Sequence, residues 1–139
     1  GEVLPPPFQM KLESSGREPD LLFIAKENLG RLKETYLDGA ADLVVEVTSP
    51  ESSRRDREAK FYEYEKGGVR EYWLINPQQK RANFYCLSGE GRYQEAFPEA
   101  EGVYQSRVVP GFWIRVEWLW QDPPPSLAQI LQRTFAVED

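Results

Sequence analysis

Two carboxylates, one at the start of an apolar run and one inside the next, are the first residues here that could do chemistry. Asp20 follows Pro19 and opens the run "DLLFIA", while Glu46 lies inside "DLVVEVTS". If the two runs form neighbouring strands, the two acids can converge. Carboxylates in contact repel each other unless one is protonated or a cation lies between them. The pattern therefore indicates a divalent-cation site, and oxygen ligands favour Mg²⁺ or Mn²⁺.

A hydrolytic metal site also needs a positive side chain, which stabilises the negative charge that develops during attack on a phosphate. Thr48, which shares the strand face of the second acid, is not basic. The following segment offers Lys60, with Arg57 and Tyr64 on its own face at helical spacing. Lys60 also has a plainer explanation, because Asp56 lies one helical turn earlier and would form an ordinary exposed ion pair with it.

Composition excludes several other chemistries. The chain has no histidine and a single cysteine, Cys86, so a Ser-His-Asp triad, a Cys/His zinc site and an internal disulfide are all ruled out. This cysteine usage fits a cytoplasmic setting. The net charge of −6 argues against a basic field over the whole molecule, and the dense basic stretch is "SSRRDREAK" at 52–60. The 139 residues predict one domain, and a start in mid-pattern without Met predicts that its N-terminal part is missing.

Periodicity and turn residues predict the elements that position these side chains. We expect one helix that starts at an N-cap on Ser49 with Pro50 in first position and stops at Gly67-Gly68. A closing helix is expected after Ser126, and a helical turn or two within the polar connection 26–41. The apolar runs predict strands at 8–13, 20–25, 42–49, 69–77, 82–87, 92–97, 103–109 and 112–120. This order predicts an α/β fold with a mixed sheet flanked by helices, followed by C-terminal β-hairpins.

Three stretches in this order carry a family resemblance: "EPDLLFIA", the long run from "ADLVVEVTSP" through "DREAK" to "GVREYWLINP", and "RVVPGFWI". They resemble the Uma-type family of restriction-endonuclease-like proteins, which is assigned to the PD-(D/E)xK nuclease superfamily. The resemblance implies a restriction-endonuclease-like fold and Mg²⁺-dependent hydrolysis of DNA phosphodiester bonds.

The resemblance also implies a role for each candidate residue. Asp20 of "EPD" and Glu46 of "EVT" match the metal ligands of the superfamily. Its lysine position falls on Thr48, and the lysine that is thought to have moved to the helix in this family matches Lys60 of "DREAK". In the resulting mechanism the two acids hold the ion and the lysine acts on the attacking water or the phosphate.

DNA is the implied partner, and a homodimer is expected because nucleases that cut both strands often pair. The candidates for contact with nucleic acid are Arg54, Arg55, Arg57 and Tyr64.

Two other classes of function stay open. A non-catalytic binding or assembly module with a degraded nuclease fold would explain the acidic net charge and the threonine at position 48. A protein-binding domain could use the Trp-rich C-terminal strands as its interface. Metal affinity separates the first of these from a nuclease, and concentration-dependent dimerisation would reveal the second.

Overall fold

The computed structural model describes residues 1–4, 8–13, 16–49 and 51–120. These residues contain eleven strands and one α-helix. The helix is α1 (Arg54–Gly67), and short 3₁₀ turns span Lys26–Arg31, Ala100–Gly102 and Val116–Trp120. The strands are β1 (Glu2–Leu4), β2 (Gln9–Lys11), β3 (Gly16–Arg17), β4 (Leu21–Ile24), β5 (Tyr36–Asp38), β6 (Leu43–Val47), β7 (Glu71–Asn76), β8 (Arg81–Leu87), β9 (Tyr93–Ala96), β10 (Val103–Gln105) and β11 (Trp113–Arg115).

A mixed six-stranded sheet in the order β1-β4-β6-β7-β8-β9 is the frame of the molecule. Only β6 and β7 run parallel within it, and α1 is the crossover that such a parallel pair requires. The other neighbours are antiparallel. A small sheet in the order β3-β2-β5 and the β10-β11 hairpin complete the described fold. The predicted α/β class with a mixed sheet and C-terminal hairpins is confirmed.

Strand β6 is central and carries apolar residues on both faces. Leu43 and Val45 belong to the core cluster beneath the β10-β11 hairpin, while Val44 belongs to the cluster beneath α1. A strand covered on both sides is expected to be almost continuously apolar. Glu46 breaks this pattern on the α1 side, next to buried Tyr64.

The ends of α1 follow from its capping residues. The expected N-cap at Ser49 is wrong, because the hydroxyl of Ser53 accepts the Asp56 N–H at 3.0 Å and the helix begins at Arg54. Ser49 lies in a separate turn, in which the Ser52 N–H donates to its carbonyl oxygen at 3.0 Å. The expected glycine stop is confirmed, since Gly68 adopts a φ of 91° that glycine accommodates without strain.

The remaining differences concern short elements. The helical turn expected in the connection 26–41 is the 3₁₀ turn Lys26–Arg31. The same connection also contains β5, which the sequence pattern does not predict. The run 112–120 is a strand only over Trp113–Arg115, and its continuation is a 3₁₀ turn. Elements of three residues carry too little periodicity to be predicted. Pro50 and the helix expected after Ser126 lie outside the described residues. No helix that the structure describes is both long and apolar enough to cross a membrane.

A buried carboxylate ties the C-terminal hairpin to the sheet. Glu71 has no exposed surface, and it accepts hydrogen bonds from the indole of Trp73 and the hydroxyl of Ser106. The backbone N–H groups of Arg107 and Val108 also donate to it, at 2.8 and 3.2 Å. The motifs "GVREYW" and "RVVPGFW" are therefore two sides of one hydrogen-bonded junction.

We predict that Glu71→Gln destabilises the protein by about 1 to 3 kcal/mol, because an amide nitrogen replaces one acceptor oxygen and leaves buried donors unpaired. Urea unfolding followed by tryptophan fluorescence measures the change. Glu90→Gln, in the exposed turn between β8 and β9, is the control, and it should lie within about 0.5 kcal/mol of the parent. Equal midpoints for both variants would contradict a structural role for Glu71.

Candidate active site

Pairing of β4 with β6 brings the two sequence-predicted acids together. Leu21 lies opposite Val45 in the antiparallel register, so the next pair outward is Asp20 and Glu46. The Asp20 N–H donates to Glu46 Oε1 at 3.3 Å, and the Val47 N–H donates to Asp20 Oδ2 at 2.7 Å. The carboxylate of Asp20 is thereby oriented by the backbone of the strand that carries Glu46.

Glu46 is 5% exposed, and two side chains of α1 contact its carboxylate. The Tyr64 hydroxyl donates to its Oε2 at 2.8 Å, and the ammonium of Lys60 lies 3.3 Å from the same oxygen. Burial raises the pKa of the Glu46 carboxyl, whereas Tyr64 and Lys60 act in the opposite direction. The negative charge of Asp20 adds to the upward shift. These are the responses expected of a carboxylate removed from water and placed near another.

Lys60 occupies the position that both of its sequence-based explanations require. Its ammonium contacts Glu46 and also lies 3.5 Å from Asp56 Oδ2, one helical turn earlier. Asp56 in turn lies 3.6 Å from a guanidinium nitrogen of Arg17. A lysine on the helix therefore reaches the strand acid, as its spacing predicted, and the exposed-pair explanation describes only half of its contacts.

The structure gives Tyr64 a different place from the one expected of a residue that contacts nucleic acid. Its side chain is buried and its hydroxyl already donates to Glu46, so that hydroxyl is not free for a polynucleotide. Burial and the adjacent carboxylate both raise the pKa of the Tyr64 phenol. The sequence placed Tyr64 correctly on the face of Lys60 but could not tell that this face points inward.

The three candidate arginines differ in their surroundings. Arg54 is exposed and pairs with Glu58 at 3.1 Å, while Arg55 is exposed without an ion pair among the described residues. Arg57 is half-buried, and its guanidinium donates to the carbonyl oxygen of Ser52 at 3.2 Å.

Asp42 and Thr48 share the strand face of Glu46, but their hydrogen bonds go to other parts of the fold. Asp42 is buried, and it accepts the Ala25 N–H at 2.7 Å and the Asn28 side-chain amide at 2.8 Å, so it fixes the turn after β4. The Thr48 hydroxyl donates to the Ile75 carbonyl oxygen at 3.3 Å. Asp42 therefore has a structural role, and Thr48 joins the ends of β6 and β7.

The donor set at Asp20 and Glu46 fits a hard divalent cation. Asp20 is exposed, and its Oδ1 makes no hydrogen bond within the described residues, while Glu46 Oε1 receives only one long bond. Among the described ranges no three or more His, Cys, Asp or Glu residues converge as a metal cage. An ion here would therefore keep several water ligands, which is the usual state of Mg²⁺ in proteins.

Comparison with protein families places the chain. The Uma2 family model, described as "putative restriction endonuclease", matches residues 1–117. The chain belongs to the Uma2 family. The match includes every residue of the candidate site, and it confirms the family that the sequence motifs indicated. No curated protein matches the chain significantly.

A solved structure supports the same fold for this Uma2 protein. It is described as a putative nuclease of the DUF820 family from Anabaena variabilis, and it superposes with a TM-score of 0.69 at 15% sequence identity. The alignment covers 85% of this chain and 66% of the other, so the chain spans less than two thirds of that protein's length. At this identity the likeness concerns the fold.

We predict that Glu46 makes the metal-free protein less stable as pH rises above about 4.5, the ordinary pKa of a glutamate. Because burial raises its pKa in the folded state, the unfolded chain loses this proton first. The stabilisation is fully present below the unfolded pKa and is lost as pH rises through the folded one. Urea unfolding in EDTA across this window, for the parent and Glu46→Gln, measures the effect.

The difference in unfolding free energy between the two proteins isolates this single group, since every other carboxyl titrates in both. The parent should lose stability relative to Glu46→Gln as pH rises. A difference that stays constant across the window would show that Glu46 has the same pKa in the folded and the unfolded protein.

Proposed function

We propose that this Uma2 protein is a Mg²⁺-dependent endonuclease that hydrolyses phosphodiester bonds in DNA. The observation that carries the proposal is the convergence of Asp20, Glu46 and Lys60 at one end of β6. Two carboxylates beside a lysine provide ligands for a divalent ion and a positive group for the phosphate, which hydrolysis of a phosphodiester needs. Membership of a family described as "putative restriction endonuclease" supports the choice of DNA.

Each protein group in this mechanism has a defined task. Asp20 and Glu46 would hold the ion, which when bound supplies an activated water and positive charge at the phosphate. Tyr64 keeps the Glu46 carboxylate in one orientation, and the Val47 N–H does the same for Asp20. Lys60 would orient the attacking water or offset charge on the pentacovalent phosphate. Groups fixed in this way need little reorganisation during the reaction.

The setting of this activity follows from the same proposal. Nucleases that cut both strands of a duplex often pair, so we propose that the protein acts as a homodimer. Cys86 is buried and forms no disulfide, which fits a cytoplasmic enzyme.

We predict that Asp20→Asn and Glu46→Gln each abolish both Mn²⁺ binding and DNA cleavage, because each removes one of the two carboxylates that the described residues bring to the site. Calorimetric titration with Mn²⁺ and cleavage of supercoiled plasmid measure the two losses. Glu90→Gln removes the same charge in the exposed β8–β9 turn and should leave both unchanged. Mn²⁺ binding by both site variants at parental affinity would refute the ligand assignment.

We predict that Lys60→Met keeps Mn²⁺ binding but slows cleavage by roughly 100- to 1,000-fold, the range found when one charge-stabilising donor is removed from an active site. Methionine preserves the apolar length of the side chain, so α1 should pack as before. The readouts are a single-turnover rate at saturating Mn²⁺ and a calorimetric affinity. A variant as fast as the parent would remove Lys60 from the mechanism.

One observation favours the non-catalytic module as the second candidate. Lys60 already lies 3.3 Å from Glu46 Oε2, so the buried carboxylate has a partner of opposite charge without a metal. A site that had lost its activity could keep this pair for stability alone. Failure of the parent protein to bind Mn²⁺, together with DNA binding without cleavage, would favour this candidate over the nuclease.

A further inference from the structure

A groove lies beside the candidate site, between the first turns of α1 and the strands β7 and β8. Two adjoining cavities form it, of about 600 and 140 Å³. Both are lined by Arg57 from the helix, Leu74 from β7 and Arg81 from β8. We call this feature the arginine groove.

The arginine groove carries excess positive charge in an acidic protein. Neither Arg57 nor Arg81 forms an ion pair in the part of the chain that the structure describes, and Arg57 donates only to a backbone carbonyl. The acid in the wall, Glu58, is already paired with Arg54 at 3.1 Å. Two guanidinium groups therefore remain for an anionic ligand, and guanidinium groups match phosphate geometry well.

A buried hydroxyl provides an independent sign of a ligand. Tyr72 has no exposed side-chain surface, and among the described residues its hydroxyl has no hydrogen-bond partner. The same side chain lines the larger cavity together with Arg57 and Arg81. A buried polar group without a partner costs free energy, so it calls for an explanation such as an acceptor brought by a ligand.

The groove reaches the strand next to the buried acid of the candidate site, although neither acid lines its walls. Leu74 is the β7 residue paired with Glu46, and Thr48 in the wall of the smaller cavity follows that acid by two residues. The ring of Tyr72 lies 5.1 Å from that of Tyr64, which holds Glu46. A phosphate at the acids and the next phosphates in the groove could therefore belong to one strand.

We propose that the arginine groove binds the phosphodiester backbone of DNA next to the bond that is cut. Arg57 and Arg81 each contact a non-bridging phosphate oxygen, and the Tyr72 hydroxyl donates to an oxygen of the same strand. Contacts of this kind set the register of the strand without reading its bases. This inference rests on the proposed function, since it assigns the substrate path of that site.

The proposed DNA-binding surface overlaps only partly with the basic stretch that the sequence indicates. Arg81 lies 21 residues beyond the end of "SSRRDREAK", and β8 brings it to the groove. Arg55, inside that stretch, lines neither cavity. Binding should therefore depend on Arg81, which lies outside the dense basic stretch.

Fluorescence anisotropy of a labelled DNA duplex, titrated in EDTA at several salt concentrations, tests the groove without cleavage. The double variant Arg57→Gln/Arg81→Gln should bind roughly 10- to 100-fold more weakly at low salt, and its logarithmic salt dependence should fall by about 2. The control Arg92→Gln/Arg107→Gln removes the same charge from exposed positions outside the groove, so its affinity and slope should stay close to the parent's.

Tyr72→Phe gives a second readout that a purely structural role would not produce. Removal of an unpaired buried hydroxyl should leave the stability of the DNA-free protein unchanged or higher. The same change should weaken duplex binding by roughly 2- to 10-fold, the value of one hydrogen bond. Circular dichroism melting of each variant confirms that it is folded.

The outcomes separate this inference from the proposed function. If the parent binds DNA through the two arginines but never cleaves it with Mn²⁺, the groove stands and the nuclease proposal fails. If the parent cleaves DNA while the groove variant matches the Arg92/Arg107 control, the nuclease proposal stands and the groove is overturned. Binding of inorganic phosphate without binding of duplex would also overturn it, because the groove would then be a small-anion site.

Discussion

The hydrogen bond from Tyr64 to Glu46 is the interaction on which the candidate site depends. A carboxylate on the covered face of a central strand loses most of its hydration, and a neutral donor from the helix replaces part of it. The same bond fixes the rotation of α1 over the sheet, so Lys60, one turn earlier on that face, also reaches Glu46. The hydrogen bond that replaces water at one acid thus orients the whole helix.

Glu71, at the other end of the parallel strand pair, is a second buried carboxylate whose lost hydration is replaced by hydrogen bonds. It lies opposite Leu43 at the start of β6, and its donors come from a loop and an indole rather than from a helix. All of its contacts are internal, whereas the cluster at Glu46 opens to solvent through Asp20. The two buried acids of this strand pair are therefore unequal, since only one has an accessible neighbour that could share a ligand.

Much of the site could be predicted because it depends on short-range periodicity. The two-residue repeat of strands and the helical turn were enough to place Asp20, Glu46 and Lys60 on surfaces that could meet. Arg81 could not be found in this way, because its place in the groove depends on the register between β7 and β8. The inward face of Tyr64 depends on how the helix docks, and the cap at Ser53 had to be chosen among neighbouring serines with similar local signals.

The position of Lys60 bears on how the proposed site would take up a metal ion. Its ammonium lies between Glu46 and Asp56, so the folded chain carries an internal cation beside the oxygens that would receive an external one. Lys60 therefore balances part of the negative charge of Glu46 without any ion, while Asp20 still repels it. A divalent ion would therefore bind to a finished protein and exchange with the medium, unlike a structural zinc, whose binding energy is part of the folding energy.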